Sequence, residues 1–155
     1  METNEIDAKK KMNDDLLLLN KMAVRLKNTL SKCRKLARVG EMTELQAKGA
    51  VIGRIENILS QIQEIKRSGY YSSVAGFKVP YKVISTISDA NRRYKLNLDG
   101  DATDFVGQSM NDLETRANVP RGTAGFGYCR RCGRLLTNPL SVAHGIGPEC
   151  IKKAK

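Results

Sequence analysis

Cys129, Cys132, His144 and Cys150 follow the pattern Cys-x2-Cys-x11-His-x5-Cys. Thiolate sulfur and imidazole nitrogen in this arrangement suit a structural Zn²⁺ ion, which has no ligand-field preference and accepts four such donors in a closed tetrahedron. Ligands split two and two along the chain let one ion staple a segment too small to fold alone.

The neighbouring residues fit that chemistry. Gly133 follows the second cysteine, where a zinc knuckle turns sharply and favours a residue tolerant of positive φ. Gly145 and Gly147 give a flexible approach, and Pro148 suits the first turn of a helix that would aim Cys150 back at the knuckle. The expected module is a zinc-knuckle or treble-clef-like finger of roughly 25 residues, well below the roughly 40 at which chains begin to fold without metals or disulfides. Thiol-oxidoreductase chemistry fits less well, because the alternating βαβ pattern that carries such a motif is missing. A disulfide framework would call for an oxidising compartment, and no secretory signal precedes the chain. The fourth ligand stays open between His144 and a water or nearby carboxylate such as Glu149. Even an open position would not imply catalysis, since no general base accompanies it.

The string Cys129 to Cys132, Gly133, Arg134, Leu136, Thr137, Pro139, Ser141, then Gly145-Ile146-Gly147-Pro148 and Cys150 resembles a short zinc-finger-like domain of unknown function. That domain occurs at the ends of phage and actinobacterial proteins. The resemblance covers about the last 30 residues and implies a metal-stabilised module in a phage or bacterial protein, often with nucleic-acid-related partners. It implies no activity, and in that pattern a histidine at position 144 is not obligatory. The spacing alone is also similar to the Cys-Cys-His-Cys ubiquitin-binding fingers of eukaryotic repair proteins, to which the Gly-Ile-Gly-Pro segment is foreign.

At 155 residues the chain has room for one ordinary domain, or one helical domain with a small appendage. Aromatics make up 5% and tryptophan is absent, so the core must come from leucine, isoleucine, valine and methionine, which favours a mainly α fold. No apolar run approaches the roughly 20 residues that span a bilayer. A protein that stays off membranes and in the cytoplasm is the expectation, the host cytoplasm if it is phage encoded.

The finger must be carried by helices. Met12, Leu16, Leu19, Ala23, Leu26, Leu30, Cys33 and Ala37 alternate in steps of four and three, a coiled-coil seam on one long helix with Gly40 as its stop. Cys33 falls on this seam and reads as a buried helix cysteine. A second helix starts at the capping box Thr43-x-x-Gln46 and runs through Val51, Ile55, Ile58, Ile62 and Ile65 towards Gly69. So short a link requires an antiparallel helical hairpin over residues 1–68. Gly49 and Gly53, one turn apart, offer close approach to another helix. Leu17, Leu18, Ile52 and Leu59 lie outside the seams and need a further cover, either the middle of the chain or a second copy making a homo-oligomer.

Residues 69–118 read as a linker, Gly69 to Gly76, followed by two shorter helices. The first spans Tyr81 to Tyr94 after Pro80, with Val83, Ile84, Ile87 and Ala90 on one face. The second starts near Thr103 and uses Phe105, Val106, Met110 and Leu113. Between them Asn97 to Asp101 is turn-like, and its aspartates lack the alternating ligand series and closing glutamate of a calcium loop. Asn118 to Gly122 and the glycines through Gly127 read as a linker into the finger, residues 119–155.

The formal charge is +11, or +10 with three thiolates and one Zn²⁺ counted. Residues 1–68 carry 14 basic and 9 acidic groups, residues 69–118 balance at 6 and 6, and residues 119–155 carry 7 against 1. In the finger Arg121, Arg130, Arg131, Arg134, Lys152, Lys153 and Lys155 can present a cationic face to phosphate. Further clusters are Lys32, Arg34, Lys35 and Arg38 on the first helix, and Arg92 with Arg93 on the third. On helices such clusters also read as ordinary solvated faces.

A helix after Cys150 would have five residues, too few to cross a major groove. Phe126 and Tyr128 can stack on an unpaired base or pack on the knuckle. Weakly specific binding to a nucleic-acid backbone, DNA or RNA, is the first expectation. The second is a protein-binding adaptor or inhibitor of a host protein, its basic residues answering an acidic surface. No nucleophile and base constellation suggests an enzyme. A His-Asn-His nuclease would need a second histidine, and a phosphate-binding glycine loop is missing.

Overall fold

The computed structural model describes residues 2–68, 77–124, 129 and 134–136. Among these the fold is mainly helical, without a strand: α1 (Glu2–Arg38), α2 (Glu44–Arg67), α3 (Tyr81–Tyr94), a 3₁₀ turn (Ala102–Phe105) and α4 (Met110–Arg116).

The seam of α1 closes where its spacing predicts, with Leu19, Ala23, Leu26, Leu30 and Cys33 all buried. Ala37 is exposed instead, and Leu36 turns inwards beside Cys33, Met42, Ala47 and Ala50. The helix closes there: Gly40 takes φ +78, and Glu41 N–H donates to Leu36 O five residues back, the long closing bond of a Schellman end. Thr43 then caps α2 with the full reciprocal box: Gln46 N–H donates to Thr43 Oγ1 at 3.1 Å, and Thr43 N–H donates to Gln46 Oε1 at 2.9 Å. Lys11 and Asp15 share a cleft with Gln61, Glu64 and Ile65, whereas Cys33 near the other end of α1 packs with Ala47 and Ala50. The two helices are therefore antiparallel.

Apolar surface that the hairpin leaves over is covered partly by the middle of the chain. Ile52 and Leu59 are buried in one cluster with Val83, Ile87, Ala90, Phe105, Leu113 and Val119. Leu17 and Leu18 remain 56% and 39% exposed. Helix α3 spans the expected residues and buries Val83, Ile87 and Ala90. After it, Lys95 and Asn97 adopt positive φ, and the Asn91 side chain fixes the turn. Its Nδ2 donates to Leu98 O at 2.8 Å, and Leu98 N–H donates to its Oδ1 at 3.0 Å. Leu96 and Leu98 are thereby held in the core.

The second middle helix differs from expectation. Instead of one helix from Thr103, the chain makes a 3₁₀ turn, breaks, and restarts as α4 at Met110. Gly107 takes φ +95 at the break. Ser109 then caps the new helix, with Asp112 N–H donating to its Oγ and Ser109 N–H donating to Asp112 Oδ2 at 3.0 Å.

The hydrogen bond from the Ser109 backbone, then that from its hydroxyl, hold the Asp112 carboxyl below its usual value, with Arg116 adding a smaller effect. A carboxyl depressed in the folded state lends stability above its unfolded pKa of about 3.9 and loses it as pH falls through the lower folded value. Asp112→Asn is thus expected to lower stability at neutral pH and flatten the decline in stability below about pH 4. Denaturant titrations of both proteins across acid pH check this.

Candidate functional site

The route into the C-terminal segment is a docked strap. Asn118 takes φ +58 after α4, Val119 N–H donates to Glu114 O, and Thr123 N–H donates to Pro120 O, so the chain folds back within a few residues. Val119 and Ala124 are buried. What holds them is Glu114, itself only 1% exposed. Its Oε1 accepts from Gly122 N–H at 3.2 Å and its Oε2 from Ala124 N–H at 3.0 Å. A buried acid with both oxygens on backbone donors is a strong tether, because charge-assisted bonds exceed neutral ones.

Gly49 is the other half of the tether. A Cβ there would stand 2.8 Å from Thr123 Cγ2 and 2.9 Å from Thr123 O. Close approach at Gly49 therefore admits the 120–124 strap rather than another helix. Residues 119–124, read as a linker in sequence, are part of the packed body.

Past the strap, Cys129 is 1% exposed, and its N–H donates to Arg134 O at 2.7 Å. This bond joins the residues on either side of 130–133, a span whose sequence contains Arg130, Arg131, Cys132 and Gly133. Such a return is what a knuckle with ligands three residues apart requires, and the buried Cys129 suits a thiolate ligand. Leu136 is buried, and Leu135 packs against the Cys33, Met42, Ala47 and Ala50 cluster at the α1–α2 turn. Cys132, His144, Glu149 and Cys150 lie outside the described residues, as do Arg130, Arg131, Lys152, Lys153, Lys155, Phe126, Tyr128, Gly133, Gly145 to Pro148 and the 69–76 linker.

The cations sort into three groups. Arg121 and Arg134 are exposed. Lys32, Arg34, Lys35 and Arg38 are exposed on the half of α1 near Leu135, with Lys35 and Arg38 in its last turn, where a helix also favours positive charge. Arg92 and Arg93 bind Asp89 at 2.8 and 3.4 Å, so the third cluster is partly neutralised. Arg25 and Arg54 were not singled out in sequence, yet they line a cleft with Lys32 and Leu135. One signal was available: residues 16–40 hold Lys21, Arg25, Lys27, Lys32, Arg34, Lys35 and Arg38 and no carboxylate. Cys33 beneath them is not poised for metal or redox chemistry, since burial pushes its thiol up to about 11, with Lys32 opposing weakly.

Comparison with known proteins adds one finding about this end of the chain. No curated protein and no solved structure matches it. Residues 120–155 match the model of a family of unknown function, DUF6011, and that region opens at Pro120, inside the strap tethered by Glu114 and Gly49. The helical body of this chain therefore carries, at its C-terminus, a domain similar to a family of unknown function.

Proposed function

We propose that the protein is a nucleic-acid-binding accessory factor, in a phage or bacterial setting, that grips the phosphate backbone with little sequence preference. The carrying observation is the seat of Leu135 beside the carboxylate-free half of α1. Leu135, with the exposed Arg134 before it, thereby brings the described part of a segment that carries 7 basic groups against 1 acidic, residues 119–155, next to the basic residues 16–40. So much uncompensated charge in one place is unfavourable by self-repulsion and becomes favourable when a polyanion releases its counterions.

In this reading one Zn²⁺ is held by Cys129, Cys132 and Cys150, with His144 as the fourth ligand, and supplies structure only. Arg121, Arg130, Arg131, Arg134, Lys152, Lys153 and Lys155 supply the phosphate contacts. No catalytic role is assigned to any residue. A protein-binding adaptor or inhibitor of a host protein is the second reading, and the exposed Leu17, Leu18 and Val24 on α1 favour it.

Binding to labelled single- and double-stranded DNA and RNA across a salt series separates the two. A backbone grip gives comparable affinities for unrelated sequences and a steep linear fall of log K with log salt. No binding at low salt, with one acidic protein partner recovered from cells, would replace it with the adaptor.

A further inference from the structure

A cleft of about 170 Å³ lies where α1, α2 and Leu135 meet. Arg25, Asn28, Thr29 and Lys32 line one wall at helical spacing, Arg54 comes from α2, and Leu135 forms the apolar side. Its volume is several times the ~30 Å³ that a water occupies in the liquid, enough for a small oxyanion with hydration. Among the described residues the wall carries three cations, an amide and a hydroxyl, and no carboxylate. Among the described residues neither Arg25 nor Lys32 forms an ion pair. Arg54 and Thr29 are the settled members, Arg54 being half-buried and Thr29 5% exposed, while Arg25, Asn28 and Lys32 reach from the exposed rim.

We infer that this cleft is a seat for a phosphate group. The donor set suits nothing else so well: planar guanidinium forks bind phosphate oxygens in pairs, an ammonium adds a point charge, and a hydroxyl and an amide complete a tetrahedral oxyanion. A metal cation is repelled, and an apolar ligand would leave the Arg25 and Lys32 charges desolvated. Resting on the nucleic-acid reading, the phosphate is one of the backbone, and Leu135 in the cleft wall directly follows the exposed Arg134 of the C-terminal segment. The seat extends the grip from the C-terminal domain onto the helical hairpin and explains why the domain is tethered rather than hung on a loose linker. A free phosphate or phosphate monoester offers the same chemistry from a different source.

The test uses the full chain and the variant Arg25→Gln/Lys32→Gln, whose changes lie on the exposed rim and whose circular dichroism should match the wild type. Inorganic phosphate is titrated while the Arg Nε–H resonances and the Asn28 and Thr29 amides are followed by NMR. The wild type should show saturable shifts confined to Arg25, Asn28, Thr29, Lys32 and Arg54, and the variant should lose them. In parallel the slope of log K against log salt for duplex DNA should become shallower by about 1 in the variant, at roughly 0.9 per phosphate contact. Absence of phosphate shifts in the wild type overturns the seat. Phosphate shifts with an unchanged DNA slope would uphold the seat for a free phosphate and overturn its place in the nucleic-acid grip. Phosphate shifts in a protein that binds no nucleic acid at all would leave the seat standing and remove the functional reading instead.

Discussion

Chelating the proposed Zn²⁺ should unfold the C-terminal domain while the helical signal of α1 to α4 persists. The expectation rests on size and on where the packing is. The helices share one cluster of buried side chains that runs from Leu19 to Ala124 and includes none of the proposed zinc ligands. Beyond Ala124 the described apolar anchors are Cys129, Leu135 and Leu136. A segment of this length lacks the buried area to fold alone, whereas structural Zn²⁺ contributes about 10–16 kcal/mol of apparent binding energy to comparable modules. Cys129→Ser should act in the same direction, since it removes a proposed ligand at a buried position. Limited proteolysis with and without chelator reads the result: cleavage beyond Ala124 should appear only after metal removal, and readded Zn²⁺ should restore protection. Residues 125–155 that stay protected in a metal-free chain would remove the zinc assignment.

Glu114→Ala is expected to destabilise the protein by about 2–5 kcal/mol. Two backbone donors, Gly122 N–H and Ala124 N–H, lose their acceptors, and each buried unsatisfied group costs about 1–3 kcal/mol. For a chain of this size the melting temperature should drop by roughly 5–15 °C. Glu114→Gln keeps the shape but offers one acceptor where two are needed and aims an NH₂ at an N–H donor, so an intermediate loss is expected. Thermal melts of the three proteins decide it, and an unchanged melt for Glu114→Ala would show that the strap is not held by this side chain.

How far these features are legible in the sequence depends on whether their causes are local. The α1 seam, the Thr43–Gln46 cap and the span of α3 are written in spacings of a few residues, and the structure follows them. The break before α4 is local too, but Phe105, Val106, Met110 and Leu113 mimic a helical face across it, and the Ser109–Asp112 box was the sharper signal. The strap could not be read in this way. Glu114 looks like any helix glutamate until Gly122 and Ala124 return to it, and Gly49 looks like a helix-packing glycine until Thr123 lies against it. The cleft is harder still, because Arg54 and Leu135 reach Arg25 and Lys32 only through the hairpin and the docked domain. At the proposed metal site, the Cys129 to Arg134 return agrees with the spacing of the cysteines, and Cys132, His144 and Cys150 lie outside the described residues.

The central claim is that the basic C-terminal domain holds nucleic acid by its phosphates. Its most direct measurement compares the salt dependence of DNA binding for the intact protein and for Arg130→Ala/Arg131→Ala/Arg134→Ala, both loaded with Zn²⁺. The expected result is a slope of log K against log salt shallower by about 2 to 3 in the variant, with the loss of affinity uniform across sequences. Equal slopes for the two proteins would contradict the claim and place the contact elsewhere.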